Sequence, residues 1–295
     1  MTGRHPAPPP QPFRWALSSY EGRPPDRLGT LADGVAPAEL WHLPGLTRCT
    51  GKVLARSRAA DLRFVGRSLD SMYDLLTGAL EHADRPGALG RLPVSVRSAG
   101  RFSGPERARF REHLAAAGLE PRTLARRKRP VALVDVVDSG STFDTVHREL
   151  AAWITESREP WPVIRRKLRY VGVTVRTRTS PNTYRWQQSE ESAPWVRTLP
   201  AGHVVNVSLP WAEWHWYGDR QPKVHGTFPP PRWFAPDAAT PWHHEVLPPA
   251  LTESLALVAA GRTRSLRDGL VRVIAGEPGF SDPHVRTFAA QLRGT

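Results

Sequence analysis

The chain has 295 residues, a formal net charge of +13, 11 tryptophans and one cysteine, Cys49. A lone cysteine excludes an internal disulfide framework, and no apolar run approaches the ~20 residues that a membrane-spanning helix needs. The length is enough to bury a sizeable core, as one large domain with decorations or one domain with a small accessory.

A charge of this sign attracts polyanions, either nucleic acid or a small, highly charged phosphate compound. Arginine carries most of it, since lysine occurs only at Lys52, Lys128, Lys167 and Lys223. Beside abundant Ala, Gly and Pro this fits a compositional bias towards arginine. The charge therefore counts little towards nucleic acid, and a solvated basic surface is the plainer account. A proline cluster near the N-terminus stands where a signal peptide would have its apolar core. The expectation is a soluble, cytoplasmic protein.

Residues 1–44 read as a Pro-rich N-terminal segment, partly disordered or hood-forming. The run 49–55 is expected as a strand. From 61 to 80 the pattern sharpens: 62–65 is a short apolar strand, and Gly66, Arg67 and Ser68 make a turn, with Ser68 placed to cap a helix. Leu69, Met72, Tyr73, Leu76 and Leu80 then recur at helical spacing. Residues 91–97 are a further strand candidate, and PERARFREHLAAAGL reads as a helix closed at Gly118. EPRTLARRKRP is expected as an exposed basic approach to the central strand. Strands follow at 167–176 and 203–209, separated by a polar excursion. This order points to an α/β fold with a parallel, doubly wound sheet, whose ligands gather beyond the C-terminal strand ends. The expected divisions are an α/β core over 45–220, a Pro/Trp-rich connector or lid over 221–249, and a helical C-terminal extension over 250–295. The stripes of that extension are Leu255/Val258/Ala259 and Leu270/Val273/Ile274.

The chain is organised around residues 131–142, VALVDVVDSGST. Four apolar residues run into Asp135, and Asp138 opens a hydroxyl-rich turn of Ser139, Gly140, Ser141 and Thr142. Phe143, Val146, Leu150 and Ile154 mark one face of the helix that follows. A buried strand that ends in a glycine turn and feeds a helix N-terminus is an anion site, because backbone N–H groups converge there and the helix dipole favours negative charge. The three hydroxyls can join the same phosphate. The bland alternative is an ordinary strand–helix turn with Asp138 as N-cap.

This motif resembles the phosphoribosyl-pyrophosphate (PRPP) signature of type I phosphoribosyltransferases, in which an apolar strand and two adjacent acids precede a phosphate loop. Asp135 holds the second acidic position and residues 138–142 hold the loop, while Val134 stands where the first acid is expected. The resemblance implies a phosphoribosyltransferase-like sheet core and a transferase of nucleotide metabolism, a pentosyl glycosyltransferase. It also implies PRPP or a ribose 5-phosphate compound as partner and Mg²⁺ as cofactor. Asp135 would serve the ribose diol or the metal, through a water, and Asp138 would be the general base. Gly66, Arg67 and Ser68 would face the pyrophosphate, with Arg97 and Arg101 on a mobile flap.

Five of the tryptophans lie between 210 and 245. Trp211, Trp214, Trp216 and Tyr217 are candidates to stack on a planar acceptor, or equally on a single-stranded nucleic acid; a tryptophan-rich core or lid explains them as well. Asp219 and Lys223 either orient the acceptor or form a salt-bridged surface turn. His243 and His244 show no metal-ligand spacing, and Cys49 reads as a small buried hydrophobe. The favoured function is phosphoribosyl transfer to or from a planar base or aromatic acceptor. The rivals are a PRPP- or nucleotide-sensing regulator without turnover and a basic nucleic-acid-binding protein; a homo-oligomer is compatible with each. Asp135→Asn and Gly140→Val are expected to weaken ribose-phosphate binding with the fold intact.

Overall fold

Short strands rich in apolar residues assemble into one sheet between two layers of helices. The computed structural model describes residues 33–83, 85, 87–96, 102–176, 185–235 and 244–294. Five strands pair in parallel in the order β2-β1-β3-β4-β5: β1 (Asp61–Val65), β2 (Leu89–Leu92), β3 (Val131–Val136), β4 (Leu168–Val175) and β5 (Val204–Leu209). The register places Phe64 beside Val134 and Asp135 beside Gly172. Central β3 shows no polar alternation, because both of its faces are covered. Its residues divide by parity: Ala132 and Val134 enter one core cluster, Val131 and Leu133 the other.

One face carries α3 (Gly104–Ala116), α4 (Pro121–Arg126), α5 (Ser141–Glu156) and α6 (Trp161–Ile164). Helix α3 starts at a capping box in which Ser103 accepts from the Glu106 amide and Glu106 accepts from that of Ser103, a device that contributes about 1 kcal/mol. The expected stripe of α5, Phe143, Val146, Leu150 and Ile154, is buried in this layer. The basic approach to β3 is less exposed than expected: part of it is α4, and Arg127 and Arg129 both bind the carboxylate of buried Asp61.

The opposite face is covered by α1 (Leu43–Arg56), α2 (Asp70–Ala79), α9 (Leu247–Arg262), α10 (Arg264–Ala275) and α11 (Pro283–Gly294). Helix α1 corrects the expected strand at 49–55. Pro44 suits a helix start, and Leu46, Cys49, Thr50, Val53 and Leu54 share one buried face at helical spacing. The last three helices are therefore no appendage. Leu257, Leu270, Ile274, Phe288 and Leu292 sit in the same cluster as Phe64, Leu76 and Val134. Helix α9 lies so close to α2 that a Cβ on Gly78 would stand 2.0 Å from the Val258 carbonyl oxygen, and one on Gly261 would stand 2.1 Å from that of Leu75. Its buried stripe is Leu251, Ser254, Leu257 and Val258, whereas Ala259 of the expected stripe is exposed. Among the described residues no helix is long and apolar enough to cross a membrane.

Candidate functional site

Connections leave β1 and β3 in opposite directions, β1 towards β2 and β3 towards β4. The crevice beyond their C-terminal ends is thus the topological switch point, where open α/β sheets bind ligands. Both turns singled out in the sequence stand at its rim. Gly66 and Asp135 face each other: a Cβ on Gly66 would lie 4.0 Å from Asp135 Oδ1. Asp135 is buried, at 7% exposure.

The 138–142 loop ends at Gly140, whose φ is +89° and which occupies the N-cap position of the 16-residue α5. Gly140, and not Asp138, therefore holds the N-cap position. Asp138 and Ser139 are exposed, Ser141 and Thr142 half-buried. The Ser139 hydroxyl lies 3.3 Å from that of Ser141 and accepts from the Ser141 amide at 3.4 Å. The N-terminal end of a long helix, with its amides and three hydroxyls, therefore opens to solvent beside a buried carboxylate. Such an end attracts an anion.

The loop is propped from behind by residues that lie between β4 and β5 or in β5 itself. Trp186 packs beneath Gly140 and donates its indole N–H to Asn206 Oδ1 at 2.8 Å. Asp144, in the first turn of α5, accepts from the Ser192 hydroxyl and the Trp195 indole, both at 2.7 Å. Trp195, in α7 (Ser192–Val196), stacks on His147 at 4.3 Å between centroids. His147 Nδ1 meets the Tyr170 hydroxyl at 2.8 Å, and burial lowers its pKa to about 4. Two tryptophans in an otherwise polar stretch were the only signal for this prop.

Other expected site residues lie elsewhere. Arg67 is committed to backbone carbonyls. It is 8% exposed, and its guanidinium donates to the carbonyls of Val224, His225 and Gly226. Ser68 does not cap α2, whose N-cap is Leu69; its carbonyl accepts from Gln221 Nε2 at 2.8 Å. Tyr217 is fully buried in the core and is no stacking platform. Trp214 and Trp216 are half-buried against the same cluster, with the Trp214 indole donating to the Val173 carbonyl at 3.2 Å. They line the C-terminal end of the sheet from α8 (Trp211–His215) and the single wide turn Trp216–Arg220. Trp211 is the open one, 63% exposed and stacked on His215 at 4.8 Å. Lys223 is neither a surface turn nor an acceptor ligand: it is buried, 2.9 Å from Asp74 Oδ2 and 3.7 Å from Glu253 Oε1. Arg97, Arg101, Trp242 and His243 lie outside the described residues.

Among the described residues no group of three or more His, Cys, Asp or Glu is placed to hold a metal. A Mg²⁺ ion keeps several waters and is bound through one or two carboxylates plus substrate phosphates, so a single buried acid such as Asp135 fits an ion delivered with its ligand. The fold and the crevice define a doubly wound parallel α/β protein with the N-terminal end of α5 at its switch point. No protein-family model, curated protein or solved structure matches the chain.

Proposed function

We propose that the protein binds a ribose 5-phosphate compound, PRPP foremost, and transfers its phosphoribosyl group to or from a planar base or aromatic acceptor. The observation that carries this reading is the meeting, at one switch point, of the hydroxyl-rich α5 N-terminus with the Asp135 carboxylate and the Gly66 turn. A phosphate and a ribose diol joined by one covalent linker need those two groups side by side.

In this reading the loop amides and the hydroxyls of Ser139, Ser141 and Thr142 hold the 5′-phosphate, and Asp135 holds the ribose hydroxyls. Mg²⁺, when bound, neutralises diphosphate charge, and Asp135 would hold it through water. As transfer proceeds the C1–O bond to diphosphate breaks, its electron pair leaves with the diphosphate, and a C1–acceptor bond forms. Exposed Asp138 takes the proton that the acceptor sheds. The protein's contribution is chiefly positioning and fixed charge.

Calorimetry with ribose 5-phosphate and with PRPP plus Mg²⁺ tests the site, and diphosphate release over a panel of bases tests the transfer. Asp135→Asn should weaken both ligands; equal affinity in variant and wild type would remove Asp135 from the site. A second reading, ligand sensing without turnover, draws on Val134. Where an acid is expected, this side chain is fully buried in the core cluster beneath α1 and α2. Binding of PRPP without diphosphate release would favour it. Salt-dependent affinity for DNA or RNA with no PRPP effect would overturn both readings.

A further inference from the structure

Arg67 has been taken out of water without meeting a carboxylate among the described residues. Its Nη1 donates to the His225 carbonyl at 2.7 Å, and its Nη2 to those of Val224 at 3.1 Å and Gly226 at 2.7 Å. Trp233 and Phe228 flank the guanidinium at 5.0 and 5.6 Å from their ring centroids. Burial draws its pKa down to about 10. A planar fork gathering three consecutive carbonyls is a geometry that lysine cannot reproduce.

The segment that supplies those carbonyls is fixed at both ends, in different layers. At 221–223, Gln221 bonds to Ser71 and to the Ser68 carbonyl, and Lys223 enters the buried pair of carboxylates from α2 and α9. At the far end Phe234 packs on Phe102 and Phe110, at 5.5 and 5.3 Å between ring centroids, on the α3 side. Between these ends it passes the turn after β1, where Arg67 holds it. Residues 221–235 therefore cross the C-terminal edge of the sheet from one helical layer to the other, held by Arg67, the residue that follows Gly66.

We propose that residues 221–235 form the standing wall of the site on its β1 side, and that Arg67 is a positioning residue that sets this wall against the crevice. The inference rests on the ribose-phosphate reading. A ligand with its 5′-phosphate at the α5 N-terminus extends its C1 substituent towards β1, where the wall stands. The wall then meets the diphosphate of PRPP, and the 5′-phosphate end does not touch it.

The test compares Arg67→Lys, Arg67→Met and Trp233→Leu with the wild type. It follows hydrogen exchange of peptides from 221–235 and from α5, and titrates ribose 5-phosphate and PRPP in Mg²⁺. Both Arg67 variants should speed exchange in 221–235 and leave α5 unchanged. Their PRPP affinity should fall about tenfold or more while ribose 5-phosphate changes less than about threefold, since a misplaced wall costs only the groups it contacts. Trp233→Leu should show the same selectivity to a smaller degree, and it carries the test alone if the Arg67 variants do not fold. Full PRPP affinity in Arg67→Lys with unchanged exchange would overturn the proposal, because charge and not the fork would then matter. Equal loss of both ligands would overturn it as well. If the wild type binds neither ligand, the ribose-phosphate reading fails and the wall's role falls with it. Faster exchange in Arg67→Lys would still show that Arg67 anchors the segment.

Discussion

Gly140→Ala puts the candidate phosphate loop under the sharpest test. At φ +89° an alanine pays the left-handed penalty of roughly 1–2 kcal/mol. Its Cβ would also stand 2.6 Å from Trp186 Cε3 and 3.2 Å from Ser192 Oγ. The indole cannot withdraw freely, since its N–H is held by Asn206 and its ring packs on Phe143 at 5.5 Å. Overpacking of this kind adds about 1–3 kcal/mol, so the combined loss is about 2–5 kcal/mol. At about 2 °C per kcal/mol for a chain of this size, the Tm should fall by roughly 4–10 °C. Calorimetric melting measures it. Relieving the collision with Trp186→Leu should make the double variant less unstable than the sum of the two single changes. A Tm within about 1 °C of wild type would refute the reasoning, for neither strain nor collision would then exist. The same geometry corrects the expectation that Gly140→Val leaves the fold intact, and it makes Asp135→Asn the cleaner probe of binding.

Three further outcomes follow from buried groups. His147, held near pKa 4 against an ordinary 6.5, is protonated first in the unfolded chain. Its contribution is complete above pH 6.5 and is lost as pH falls towards 4, by up to about 3 kcal/mol; urea melts across that window should slope less in His147→Phe, and an equal slope would exclude it as the source. Lys223→Met leaves Asp74 and Glu253 without their shared buried cation, which should cost about 3–5 kcal/mol in chemical denaturation, and a cost below about 1 kcal/mol would show that the pair is solvated. The Cys49 thiol, 1% exposed and pushed up to about 12 by burial, should resist aromatic disulfide reagents at pH 8 and react fully in urea, whereas rapid labelling of the native protein would contradict its burial.

Most of the sheet is legible because apolar residues dominate its strands and their signal is local, whereas β2 falls at Leu89–Leu92 and not at the expected 91–97, its run being broken by Gly90 and Arg91. The 62–65 and 131–136 strands, the turns after them and the stripe of α5 all appear where the pattern puts them. Helix α1 resembles a strand locally because its one cysteine and Val53 suggest one over residues 49–55, and its true period shows only when Leu46 is included. The site was half legible. Its loop and Asp135 carry a local motif, but the Trp186 and Trp195 prop and the 221–235 crossing depend on contacts across long stretches of chain. Arg67 is the clearest case. An arginine in a turn beside a phosphate loop reads as an anion ligand, and nothing local reveals that three carbonyls more than 150 residues away hold it.

The placement of α9, α10 and α11 has a consequence for how the protein is made. The layer of α3 to α6 is built largely from residues near one another in the chain and can close early. The other face of β1, β3 and β4 has no complete cover until residues 247–292 arrive. At roughly 5–20 residues per second, synthesis from Val175 to Leu292 takes on the order of ten seconds. For that interval the nascent chain presents Phe64, Val134 and Val171 without their final neighbours, a surface on which a chaperone can sit and an aggregate can start. The 221–235 crossing, tied through Lys223 to Glu253 of α9, takes its final place only once that helix docks.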